Sequence, residues 1–259
     1  MSPLRRILAL MLCAVLLTGL WGCELPRPGF TDFDVSGYID ALLDSSYQAD
    51  HTAIMEISAL TEEDAQGNNT ATVENAAIRF CNLYSVMPNE GQLIRIEHAF
   101  SQVLANVRYS VSDEVRTSAG YNVDVKVYSI VNFADCGAEI EALRQAAEEE
   151  ARQQVEDTWK RQEQDNEALY DLDDEWSGGD DDDGYAPEPE PEPDKVEVDY
   201  TEKFAEKVVE FCERQLMNLS YDTEQRTVTL NILQTEKGEL QLDMNQIDTI
   251  DQTVVLFTK

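Results

Sequence analysis

The stretch Tyr121-Asn122-Val123-Asp124-Val125-Lys126-Val127-Tyr128-Ser129-Ile130 alternates: up to Val127 every odd position is apolar, and the even positions are mostly polar. A period of two places one set of side chains in a core and the other in water, which is the pattern of a half-buried strand. Working outward, the strand reading extends to Phe133. Upstream, Asn106 to Val111 reads as a partner strand, reached through the polar, Gly-bearing segment Ser112 to Gly120. Further downstream, Arg226 to Leu233 and Glu239 to Met244 read as a hairpin around Thr235-Glu236-Lys237-Gly238, and Gln246 to Phe257 packs the end.

Around these strands the period changes to that of helices. From Phe33 to Ala53, Val35, Tyr38, Ile39, Leu42, Leu43 and Tyr47 recur at three and four residues, with Asp34 placed to cap the first turn. Further helices are expected from about Val73 to Val86, stopped by Pro88, and from Gln92 to Ala105. A long one is expected from Gly137 to about Leu169, dense in Glu, Arg and Gln outside its Ile140, Leu143, Ala147, Ala151, Val155, Trp159 stripe, and a last one from Val198 to Leu219. The fold class is therefore α+β, helices packed on antiparallel sheet. Phe80-Cys81 echoes Phe211-Cys212, and Asn106-x-x-Tyr109 echoes Asn218-x-x-Tyr221, an arrangement compatible with two related helix-plus-meander halves.

Charge narrows the function. The 259 residues carry 19 Lys and Arg against 52 Asp and Glu, a formal charge of −33. Affinity for nucleic acid comes from cations that neutralise phosphates, so a balance this acidic argues against that class of partner. Asp171 to Asp194 contains twelve acidic residues, no basic one, four Pro and three Gly. Too little apolar surface is available there to offset chain entropy, so a disordered acidic linker is expected over 171–197. It divides a region at 34–170 from one at 198–259. Calcium is not implied. A calcium loop needs Gly at its sixth position, where counting from Asp171 finds Trp176, and counting from Asp180 brings Gly184 one place early.

At the N-terminus, Arg5 and Arg6 precede the apolar run Ile7 to Leu17, too short for a spanning helix and placed as an export signal. Leu20-Trp21-Gly22-Cys23 follows, and here the segment resembles the lipobox of bacterial lipoproteins, with Trp21 where a small residue is usual. The resemblance implies a signal peptide at 1–22, acylation of Cys23 by chains such as palmitate, and anchoring to the extracytoplasmic face of the cell membrane. Residues 23–33, with Pro26, Pro28 and Gly29, read as a tether. The mature region also resembles uncharacterised cell-surface lipoproteins of Gram-positive bacteria. That likeness lies in Phe33 to Tyr47, in the Tyr121 to Ile130 strand and in Gly238-Glu239-Leu240-Gln241-Leu242. It implies a small α+β surface domain and supplies no activity.

Beyond Cys23, no residue stands out for covalent chemistry. Cys81, Cys136 and Cys212 remain once Cys13 of the signal is set aside, and an odd number of thiols outside the cytoplasm leaves at least one unpaired. Buried core packing is the plain reading of these thiols. No CxxC spacing, GxSxG elbow or phosphate-cradling loop occurs. The two histidines, His51 and His98, sit in helical surroundings as surface or capping residues. The expectation is a non-enzymatic binding or interaction module of the cell envelope, with no cofactor, no metal and no catalytic residue. Its alternatives are surface capture of a cationic solute or peptide, and an envelope hydrolase. A pocket lined by His51 or His98 with a carboxylate would favour the hydrolase.

Overall fold

The computed structural model describes residues 34–173, 198–235 and 239–258. The signal peptide, Cys23, the tether and all but the first three residues of the acidic run lie outside them. Helices α1 (Val35–Leu43), α2 (Thr52–Ile57), α3 (Glu62–Tyr84) and α4 (Glu90–Leu104) lead into strands β1 (Arg108–Val111), β2 (Val115–Arg116) and β3 (Gly120–Tyr128). Helices α5 (Gly137–Asp173) and α6 (Thr201–Gln215), strands β4 (Arg226–Gln234) and β5 (Leu240–Leu242), and helix α7 (Met244–Val254) complete the described chain. The α+β class follows directly.

The sheet has the order β1-β3-β4-β5, with β2 also on β3, and every pairing is antiparallel. Strand β3 is its spine. The alternation seen in the sequence becomes its two faces: Val123, Val125 and Val127 are fully buried, joined from β4 by Leu230 and Ile232, whereas Lys126, Thr227, Thr229 and Asn231 face water. Register pairs run from Gly120 opposite Leu233 to Val127 opposite Arg226. The regions before and after the acidic run therefore share one sheet. They also share one core, because Phe80, Phe100, Phe133, Phe211 and Phe257 meet with ring centroids 5.0 to 6.3 Å apart. Gly120 has φ +156, and a Cβ there would run into the Ile232 carbonyl, so only glycine lets β3 approach β4 so closely at this point.

Several elements differ from the periodicity reading. The helix expected over Phe33 to Ala53 is α1 followed by a π-turn at Asp44–Gln48, a left-handed Ala49 (φ 56) and the separate α2. The wider turn allows both Ser45 and Tyr47 to be buried. Helix α3 begins at Glu62, well ahead of Val73, on a capping box in which Thr61 Oγ1 accepts from the Asp64 amide and the Asp64 carboxylate accepts from the Thr61 amide. Its first turns are too polar for the apolar period to register. Strand β3 stops at Tyr128 instead of Phe133, and beyond it Ile130 makes only single bridges to Tyr221 and Val255. Asn132 then ties the chain to the end of α6, donating to the Asn218 carbonyl at 2.8 Å and accepting from the Ser220 amide at 2.6 Å. Helix α6 is shorter than the Val198 to Leu219 reading, and α5 runs past Leu169 to Asp173, so the acidic run begins as helix.

Helix α5 buries Ile140, Ala147 and Ala151, while Glu139, Glu141, Glu149, Glu150, Arg152 and Glu156 stay exposed. It lies antiparallel to α6, with Arg214 on Glu139 and Lys203 and Lys207 on Glu150. Arg95 of α4 reaches Glu206 and Glu213 of α6. The three thiols are free and buried in the core. Burial pushes Cys81 up to about 11, raises Cys136 and raises Cys212 well above the ordinary thiol value, so none has thiolate character at neutral pH.

Candidate functional site

The polar groups that the fold draws inward gather around the π-turn. Tyr47, buried to 2% exposure, donates its hydroxyl to Asp251 Oδ1 of α7 at 2.6 Å. Tyr109 of β1 donates to Asp44 at the start of the same turn, and its ring meets Tyr47 edge-on at 6.2 Å. Asn69 of α3 donates to the Ser46 carbonyl at 2.8 Å. The turn is thereby held from α3, from the sheet and from α7 at once.

Between α3 and α7 this arrangement leaves a crevice of about 20 Å³, lined among others by Tyr47, Thr72, Asn75, Arg79, Asp248 and Asp251. A space of that size admits one water-sized group. Two carboxylates and one guanidinium share it, so one negative charge is left over. Arg79 does not form a fork with Asp251: one of its nitrogens donates to the Asp251 backbone carbonyl at 3.4 Å, and its guanidinium lies 5.0 Å from the centre of the Phe257 ring. Among the described residues Asp251 Oδ1 accepts from Tyr47 and no donor reaches Oδ2. Desolvation is the main cause that lifts the Asp251 carboxyl from its ordinary value to about 6. Asp248 on the next turn adds to the rise, while the Tyr47 hydrogen bond and Arg79 oppose it.

A second, wider cavity of about 400 Å³ opens where the end of α3 meets the start of α5, lined by Leu83, Tyr84, Gly137, Ile140, Glu141 and Arg144. Arg144 is committed within it, donating to the Tyr84 carbonyl at 2.6 Å and lying over the Phe204 ring.

The histidines fall elsewhere. His51 Nδ1 and Ser45 Oγ are 2.8 Å apart, a pairing that closes the π-turn onto α2, but Ser45 is only 2% exposed and so has no open face for a substrate. His98 lies on the exposed side of α4 against Gln102. Neither lines the two cavities. Sequence reasoning passed over the crevice because its members come from three separated segments, and Asp248 and Asp251 look like any other carboxylates in a chain this acidic. The i, i+3 spacing of those two on α7 was the available signal. Cys23, the expected lipid attachment residue, lies outside the described residues.

Among the described residues no group of three His, Cys, Asp or Glu is arranged to hold a metal, and no helix is long and apolar enough to cross a membrane. No family model matches the chain, and no curated protein matches it either. A crystal structure of a candidate lipoprotein (ycdA) from Bacillus subtilis is similar at 12% identity and a TM-score of 0.49, over 86% of this chain and 56% of that one. The chain thus spans little more than half of that protein.

Proposed function

We propose that the chain is exported, acylated at Cys23 and held on the extracytoplasmic face of the cell membrane, where its folded part serves as a binding or interaction module of the envelope. The observation that carries this reading is the order of the first segments. A basic pair and a short apolar run end in Leu20-Trp21-Gly22-Cys23, a Pro-bearing stretch follows, and the fold begins just beyond it at the Asp34 cap of α1. Each buried CH₂ of an acyl chain contributes about 0.8 kcal/mol, so two or more chains on Cys23 give lasting attachment where one does not. Supply of an alkyne-bearing palmitate to cells making the protein, followed by capture, should label the wild type. Cys23→Ala should be unlabelled and should leave the membrane fraction. A Cys23→Ala chain that still takes up label, or still sediments with membranes, would overturn the reading.

A second reading, capture of a cationic solute or peptide, is favoured by one specific observation, the surplus negative charge of the crevice at Asp248 and Asp251. Envelope hydrolysis has no comparable support, because the Ser45–His51 pair is buried on the serine side.

A further inference from the structure

The sheet has a wet face that no described element covers. Asn122, Asp124 and Lys126 of β3, with the Asn231, Thr229 and Thr227 registered opposite them on β4, alternate with the buried valines, and none of the six is buried. The charge of this face departs from that of the chain. Against a formal −33 overall, its strands place only Arg108, Asp124 and Lys126 here as charged residues. Carboxylates are in such surplus that Arg95, Lys203, Lys207 and Arg214 on the helices each hold one. Lys126 makes no ion pair among the described residues, and Arg108 lies over the Tyr221 ring at 3.8 Å instead. Asp124 takes the Thr229 hydroxyl on Oδ1 at 2.6 Å, and its other oxygen receives no donor among the described residues.

We propose that this face pairs with the same face of a second copy of the chain. Lys126 and Asp124 stand one step either side of Val125, and Thr227 and Thr229 one step either side of Val228, its register partner. A two-fold axis lying between the stacked sheets, across β3 at the level of Val125, therefore sets Lys126 against the partner's Asp124 and Thr227 against the partner's Thr229, and does so twice. Stacked sheets keep their strands within about 30° of each other, so the residues beside the axis stay opposed. Two chains this acidic repel, but that repulsion is screened within about 8 Å at physiological salt, which leaves the charges on the two faces to decide close approach. A polyanion fits less well, because Asp124 sits at the centre of the face. At about 4.8 Å between strands and 3.4 Å per residue the paired strands present about 450 Å², so two faces meet over about 900 Å², the size of a weak, reversible contact.

The test is sedimentation equilibrium of the full chain in density-matched detergent, kept in excess so that micelles do not force chains together, over about 10 to 500 µM protein. The wild type should pass from monomer to dimer across that range. Asp124→Lys leaves four cations around the axis and Lys126→Asp leaves four carboxylates, so each variant alone should associate at least about tenfold more weakly. An equimolar mixture of the two sets opposite charges together again and should recover the wild-type dimer, which also shows that both variants are folded. Thr227→Arg, at an exposed position beside the axis, should weaken association without altering the thermal melt. Carbodiimide, which couples an amine to a touching carboxylate, should join Lys126 to the partner's Asp124 in a mixture of heavy- and light-isotope chains. A monomer at every concentration overturns the proposal. So does a dimer that both charge variants leave intact, since the copies then meet elsewhere, and so does a mixture that fails to recover association. Sedimentation does not depend on anchoring, so a failed Cys23→Ala experiment leaves this test standing.

Discussion

Asp251→Asn is the sharpest probe of how the fold is held together. The Asp251 carboxyl is largely buried, and its folded pKa of about 6 stands above the ordinary 3.8. Between those two values the folded protein retains a proton that the unfolded chain has released. Raising the pH across the window therefore costs stability, and above pH 6 the whole penalty of a buried charge is present. At 1.36 kcal/mol for each pH unit of separation, that penalty is about 3 kcal/mol. This is a large share of the roughly 5 to 15 kcal/mol by which domains are stable. Asn has the same size, accepts from the Tyr47 hydroxyl and carries no charge. Urea unfolding of both proteins at about pH 4 and about pH 7.5 should show the variant gaining roughly 2.5 kcal/mol on the wild type between the two, with unchanged slopes. The carboxylates that hydrogen bonds hold below their ordinary range, Glu114 and Asp222 among them, act in both proteins and cancel in the difference. Parallel pH profiles would show that Asp251 is not desolvated. A variant that instead loses ground as pH rises would show that attraction to Arg79 outweighs burial, which refutes the argument.

Other substitutions test the core and the surface. Phe80→Ala removes a fully buried ring that meets Tyr84, Phe100, Phe133, Phe211 and Phe257, and should lower the unfolding free energy by about 3 to 5 kcal/mol in urea titration. Val125→Asp places a charge at a fully buried position opposite Val228 and Val111, and should cost more than about 4 kcal/mol or prevent folding. A soluble variant of wild-type stability would break the β3 assignment. Ser129→Ala should be neutral or slightly stabilising in thermal melts, because its buried hydroxyl has no hydrogen-bond partner among the described residues. Arg95→Met should change stability by less than about 1 kcal/mol despite its two carboxylate partners, since all three side chains are 42 to 44% exposed.

The charge of −33, the apolar alternation of Tyr121 to Val127 and the three- and four-residue recurrence in α1, α4 and α6 could be read directly from the chain. Such patterns are local: a strand or helix with one wet face must repeat at its own period, whatever it packs against. The same holds for the segments leading to Cys23, whose meaning lies in order and length. Local signals that were present but outweighed include the Thr61-Glu62-Glu63-Asp64 capping box, masked by the polar turns after it. Only the tertiary structure decided that the acidic run interrupts one sheet, because β4 pairs with β3 through backbone groups that carry no sequence label. It likewise decided which carboxylates matter. Asp251 differs from its many acidic neighbours in nothing but surroundings: Tyr47, Arg79 and Asp248 meet there from three segments, and desolvation depends on what surrounds a group in space.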